Sequence, residues 1–372
     1  MENTEDTRLK EFTQVLVNRA THVEKGDNVY LLCKSLESLS LFKEVRRQII
    51  KRGGMPHEHL LYDTMNGAGA ADYDWFKHAD SSQLETLSEA KKQEMEKMDA
   101  YIRIGGGDNT QDLSGTDPEK ISEWKSTTRE ILNERLSKKW VATRFPTKSM
   151  AQNAGMSTQE FEEMVFEAVT ADYSDISERN KKVKELVDGA EEVRIKSKDT
   201  DIRMSLENRE GVSADGRNNI PDGEVFYAPV KDSVEGHISF TYPGVDSGTE
   251  VHGIKLWFEN GKIVDFQAEK NEDYLEKMIN TDEGSRYIGE LGLGTNKQIT
   301  EFTKDTLFDE KIAGTVHMAI GRAYEECAPE SKRNESAIHW DIVNDLRSRA
   351  GGGKIIVDGE VVQEDGKWIF EN

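Results

Sequence analysis

Apolar positions fall into two different rhythms along the chain. Up to about residue 190, short unbroken apolar runs alternate with stretches whose apolar residues recur every three or four positions. "NVYLLC" (28–33) reads as a buried strand, "SLSLFKEVRRQIIKRG" (38–53) as an amphipathic helix stopped by Gly53 and Gly54, and "HEHLLYD" (57–63) as the next strand. "DAYIRIGGGDNT" (99–110) supplies a strand running into glycines, "DPEKISEWKSTTREILNERLSK" (117–138) one long helix, and "WVATRF" (140–145) a strand closed by Pro146. This alternation predicts an open α/β sheet, mainly parallel, because parallel neighbours need a crossover long enough to hold a helix. A polar helix is expected around 82–98, and "TQEFEEMVFEAVT" (158–170) reads as a helix with an apolar stripe at Phe161, Met164, Val165 and Ala168 for packing inside its own domain.

Near residue 192 the period shortens to two. "EVRIKS", "DIRMSLE", "EVFYAPV", "HISFTYPG", "IKLWFENGKIVDFQAE" and "KIIVDGEVVQEDGKWIF" are strand-like and separated by turn signals such as "ENGK", "VDGE" and "EDGK". Helix is expected chiefly over 271–281 and in whatever follows His317. The reading is an α/β N-terminal domain over 1–192 with a mainly parallel sheet, then a strand-rich α+β domain over 193–372, predominantly antiparallel, that carries the candidate chemistry. A length of 372 residues suits two domains.

Composition changes the picture by exclusion. With 35% apolar and 32% charged residues there is material for true cores, but no apolar run approaches the roughly 20 residues that span a bilayer. The opening "MENTEDTRLKEFTQVLV" is acidic and lacks an apolar signal core, so a cytoplasmic location is expected, with no membrane partner. Against 49 basic residues stand 71 acidic ones, a net charge of −22 that repels nucleic-acid backbones and argues against a nucleic-acid partner. Cys33 and Cys327 lie too far apart in the sequence to suggest a disulfide framework or a thiolate metal knot. Gly105, Gly106 and Gly107 do not meet the G-x-G-x-x-G dinucleotide fingerprint and read as a strand exit.

Several polar residues stand in apolar surroundings. In "IHWDIV" the period of a strand puts His339 and Asp341 on one side and Ile338, Trp340 and Ile342 on the other. Glu224 follows an Asp-Gly turn in "NIPDGEVFYAP" and precedes an apolar strand. Glu290 is embedded among small and apolar residues in "YIGELGLGTN", a costly place for an unpaired charge. His317 lies in "IAGTVHMAIGRAY" with Tyr324 seven positions on, sharing its face if that run is helical. Each has an ordinary explanation: a turn or cap residue, a buried ion-pair partner, a satisfied core histidine or tyrosine. Together, two glutamates, two histidines and an aspartate form the inventory a pair of divalent ions needs, and such a pair points to hydrolysis.

The strings "NIPDGEVFYAPVKDSVEGHISF", "GELGLGTN", "GTVHMAIGRAY" and "ESAIHWDIV" resemble the thermophilic metallo-aminopeptidases, the family of the aminopeptidase T, aminopeptidase S and PepS type. The likeness runs through most of 200–372 and, more weakly, through the N-terminal half. It implies metal ligands at Glu224, Glu290 as the bridge, His317, His339 and Asp341, with Tyr324 near the metals. It also implies two divalent ions, zinc or cobalt first and manganese or magnesium as further candidates, and a homodimer. The expected activity is removal of single residues from peptides with a free N-terminus, Glu290 steering the proton of the attacking water and Tyr324 donating to the forming oxyanion. Two alternatives remain at this level: a nucleotide-binding α/β protein with a structural C-terminal domain, and a metal site that is structural only.

Overall fold

The computed structural model describes residues 6–61, 71–107, 109, 112, 113, 115–246 and 248–371. The strand expected over 57–63 and the glycine loop expected to reach 110 extend at Tyr62, Asp63, Asp108 and Thr110 outside the described residues. Two compact units are formed, one from residues up to 170 together with 216–221, the other from 171–215 and 222 onward.

The first unit is built on a five-stranded sheet in the order Met55–Leu60, Asn28–Cys33, Ala100–Gly105, Lys139–Arg144, Asn219–Ile220. All four neighbouring pairs are parallel. Ala100–Gly105 is buried on both faces, which explains why its sequence is a continuous apolar run and not an alternation. The helix Leu39–Lys51 connects the first two strands and buries Leu41, Val45 and Ile49 at intervals of four. Helix Thr158–Val169 starts in a Ser157/Glu160 capping box and buries Phe161, Met164, Val165 and Ala168, with Phe166 edge-on to Phe12. The single helix expected over 117–138 is two, Pro118–Thr127 and Arg129–Leu136. They part at Thr128, whose hydroxyl donates back to the Trp124 carbonyl, a bond that bends a helix at that residue. The polar helix around 82–98 is likewise two short helices, Ser81–Leu84 and Glu89–Glu96.

The second unit stacks two large antiparallel sheets and adds a two-stranded one, Gly244–Asp246 with Thr249–Val251. The larger has eight strands in the order Lys262–Gln267, Lys255–Glu259, Glu235–Ser239, Thr200–Met204, Val193–Ser197, Gly353–Val357, Glu360–Glu364, Lys367–Trp368. The smaller runs His339–Asp345, Thr315–Gly321, Ile288–Gly294, Glu224–Tyr227, Val212–Ala214. One core joins them: Val193, Ile195, Ile202 and Leu256 of the first meet Val225, Leu291, Leu293, Val316, Met318, Ile320, Trp340 and Ile342 of the second. Burying each such side chain contributes about 1.5–3 kcal/mol. Helix Tyr173–Val187 adds Val183 and Val187 to this core and so belongs to the second unit, whereas the sequence reading ended its first domain at 192.

Two expectations for this unit meet different fates. The helix Glu272–Ile279 forms within the expected 271–281. The run around His317 is not helical; it is the strand Thr315–Gly321, because Val316, Met318 and Ile320 alternate into the core at a period of two. Cys33 and Cys327 are both free and buried. Among the described residues no helix is long and apolar enough to cross a membrane.

Candidate metal centre

The face of the second unit's smaller sheet turned away from the core carries the five acidic and imidazole side chains singled out in the sequence. Strand periodicity puts them there: where Leu291, Leu293, Val316, Met318, Trp340 and Ile342 point into the core, Glu290, His317, His339 and Asp341 point the other way. Register then brings them abreast. Glu290 pairs with Ala319, which pairs with Asp341; Gly292 pairs with His317; Gly294 pairs with Glu224.

Room for the cluster comes from small residues between the ligand-bearing ones. A Cβ on Gly292 would lie 1.9 Å from His317 Cε1 and 2.0 Å from its Nε2, so the imidazole occupies the space a side chain would fill. The alternation "GELGLG" thus has a double meaning, leucines for the core and, at Gly292, room for the histidine.

The donor atoms form two overlapping triads that share Glu290: Glu224, Glu290 and His317, and Glu290, His339 and Asp341, the ligand atoms of each lying within 4.8 Å of one another. His317 Nε2 stands 2.9 Å from Glu290 Oε1 and 3.5 Å from Glu224 Oε2. His339 Nε2 stands 3.7 Å from Glu290 Oε2 and 3.4 Å from Asp341 Oδ1. His339 Nδ1 lies 2.7 Å from the Arg322 carbonyl. A carbonyl only accepts, so Nδ1 carries the proton and Nε2 presents its lone pair to the centre when the ring is neutral. Glu224 Oε2, Glu290 Oε2, Asp341 Oδ1 and His317 Nδ1 are buried without a hydrogen-bond partner among the described residues. Buried polar groups are otherwise almost always satisfied, so three unpaired carboxylate oxygens, each facing a histidine Nε2 of the cluster, fit a cation.

Electrostatics carry the same message. Burial presses the His317 imidazole down, but the Glu290 hydrogen bond and the Glu224 charge prevail and hold it up at about 9. His339 is likewise driven down by burial and lifted to about 10 by Asp341 and Glu290. Burial raises Glu290, opposed by its bond to His317. Asp341 is pulled low by His339 in spite of its burial. Three carboxylates in a dry site thus hold protons on both imidazoles, protons that divalent ions would displace.

Tyr324 lies beyond the end of the His317 strand, 38% exposed, with its ring centroid 4.5 Å from that of His339 and 5.8 Å from that of Phe226. Burial of the phenol, then the charges of Glu290 and Asp341, raise it well above the usual tyrosine range, so it stays a donor at any physiological pH.

Three residues that support the cluster escaped the sequence reading. Lys311, 1% exposed, places its Nζ 3.0 Å from Glu224 Oε1 and 2.6 Å from Glu310 Oε2. Glu310 is raised well above the carboxylate range by burial and by the charges of Asp341 and Glu224, with Lys311 opposing. Asn180, fully buried, donates to the carbonyls of Glu224 (2.9 Å) and Ala214 (3.0 Å) and accepts from Thr295 Oγ1 (2.6 Å), which fixes where the Glu224 strand begins. Their local sequences, "FDEKIAG" and "SERNKKV", read as solvated polar surface.

The sequence profile of the thermophilic metalloprotease family (M29) matches residues 5–368. The chain belongs to this family. Among M29 relatives, aminopeptidase AmpS of Bacillus subtilis (strain 168) is 38% identical over 170 residues, 41% of this chain and 40% of AmpS. Aminopeptidase T of Thermus aquaticus is 38% identical over 161 residues, 40% of this chain and 37% of the relative. Aminopeptidase PepS of Streptococcus thermophilus is 30% identical over 201 residues, 46% of each chain. The matched stretch thus spans 40% of the length of the first of these relatives. The solved structure of wild-type AmpT from Thermus thermophilus shares the fold, with a TM-score of 0.80, 23% identity and coverage of 98% of this chain and 99% of that one. A 2,5-dihydroxypyridine dioxygenase from Pseudomonas putida KT2440 shares it more distantly, at a TM-score of 0.60 and 15% identity over 98% of both chains.

Proposed function

We propose that this M29 chain is a metal-dependent aminopeptidase that removes the N-terminal residue from peptides at a pair of divalent cations held by Glu224, Glu290, His317, His339 and Asp341. The observation that carries the reading is the pair of donor triads sharing Glu290, with converging unpaired acceptors, in a family of metalloproteases. Bound there, ions such as zinc or cobalt, or manganese or magnesium, supply Lewis-acid polarisation of a carbonyl and a water acid enough to ionise near neutral pH.

The chain's own residues orient and move protons. Glu290 offers one oxygen toward each histidine, the disposition of a bridging ligand, and is our choice for steering the proton from the attacking water. The Arg322 carbonyl fixes the His339 tautomer. To Tyr324, held protonated beside His339, we assign donation to the oxyanion as it forms. The acidic cluster also suits a substrate that brings a free α-amine.

The shared fold with a dioxygenase does not favour oxygenase chemistry for this chain. Each triad contains two carboxylates and one histidine, not the two histidines and one carboxylate of non-haem iron oxygenases. The deciding assay follows release of free amino acid from a short peptide with zinc or cobalt, with chelator, and from the same peptide N-acetylated. Release that needs metal and a free amine is expected; undiminished cleavage of the blocked peptide rules out an exopeptidase. Replacing Tyr324 with Phe is expected to lower kcat about 100-fold, the scale of losing one oxyanion donor, with bound metal unchanged. Light scattering on the same preparation checks the expected homodimer.

A further inference from the structure

The donor set contains a cation of its own. Lys311 is buried against Glu224, and its backbone is held on both sides, its N–H donating to the Phe308 carbonyl (3.0 Å) and its carbonyl accepting from Asn296 N–H (2.9 Å). The ammonium therefore cannot swing to solvent without opening the surrounding core. It lies 3.0 Å from Glu224 Oε1, leaving Oε2 as the carboxylate oxygen turned to His317. Among the described residues no lysine or arginine pairs with Glu290, His339 or Asp341; their ion pairs are with one another and with His317. Glu310 shares the same ammonium, its Oε2 lying 2.6 Å from Lys311 Nζ.

We propose that Lys311 makes the two triads unequal: Glu290, His339 and Asp341 take the first divalent cation tightly, and Glu224, Glu290 and His317 take the second weakly and exchangeably. This rests on the metal reading above. Two physical effects act in the same direction. The ammonium occupies one of the two oxygens Glu224 could offer, and it adds a positive charge beside the second ion where little water screens the repulsion. The occupancy of the second position then follows the free metal concentration, while the first stays filled.

The test is a titration of metal-free protein with zinc and with cobalt, read by calorimetry and by metal analysis after equilibrium dialysis. The wild type is expected to show two classes of site whose dissociation constants differ by about 100-fold or more. Lys311→Gln is expected to tighten the weak class and narrow the gap by about 10-fold, and Lys311→Arg, which keeps the charge, to preserve it. Glu310→Ala, which leaves the ammonium to Glu224 alone, is expected to widen the gap and serves as the arm that decides if Lys311→Gln does not fold. Two ions of equal affinity in the wild type, or a ratio unmoved in folded Lys311→Gln and Glu310→Ala, would overturn the inference. Failure to bind any ion would instead sink the metal reading on which it rests.

Discussion

The side chain missing from Gly292 shapes the centre as much as the five that are present. Gly292→Ala would drive a methyl group into the His317 ring, and overpacking of this kind costs about 1–3 kcal/mol. Weakened metal binding together with a lowered melting temperature is expected; a variant that binds metal as the wild type does would show that the ring has another place to go. Protons provide a second test at this scale. With His317 near 9 and His339 near 10, both above the ordinary histidine value, the metal-free protein gains stability from these groups that is full below about pH 6.5 and is lost as pH rises through 9 and 10. Metal must displace those protons, so affinity should rise with pH, and zinc added in weak buffer at pH 7 should release protons. A titration with no acidification would show the histidines already neutral. The five ligand candidates were legible in the sequence because each sets a charge or an imidazole among apolar neighbours. Lys311 was not, since a lysine following a glutamate reads as surface until the fold brings Glu224 to it from the strand Glu224–Tyr227.

At the level of elements, period decides what was readable. The alternation over 339–345 predicted correctly that His339 and Asp341 share a face, and the strand delivers them together. The same alternation over 315–321 was there to be read, but a short apolar run with small residues fits either geometry, and strand pairing on both sides settled it. Helix Tyr173–Val187 shows what a one-dimensional reading misses. Asn180 sits among charged residues in the sequence, yet it is wholly buried and ties the helix to the start of the Glu224 strand. Asn180→Ala would strand the Glu224 and Ala214 carbonyls and the Thr295 hydroxyl, a loss of about 3 kcal/mol or more at roughly 1–3 kcal/mol for each buried group left unsatisfied. Denaturant melts measure it; a change below about 0.5 kcal/mol, the usual limit for surface positions, would mean that the helix does not anchor the strand.

For the molecule as a whole, the acidic centre couples metal to folding. Several carboxylates desolvated together oppose the folded state, and ions that bind only the folded chain offset this, by about 2.7 kcal/mol at a free metal concentration of 100 Kd. Chelator should therefore lower the melting temperature and zinc or cobalt restore it; a melting curve indifferent to both would mean that the cluster holds no ion. The division into a parallel α/β part and an antiparallel β-rich part was visible in the spacing of apolar residues. How the first unit completes its sheet with Asn219–Ile220 was not, because two residues carry no periodicity. The strand Ile288–Gly294 turns Leu291 and Leu293 to oil and Glu290 and Gly292 to the ligands, so deleting one residue would exchange the two sides along the rest of the strand. Descent from such a scaffold is constrained accordingly: its strands can trade side chains, but a change of one residue in length has to be absorbed by a bulge such as the one between Ile288 and Glu290.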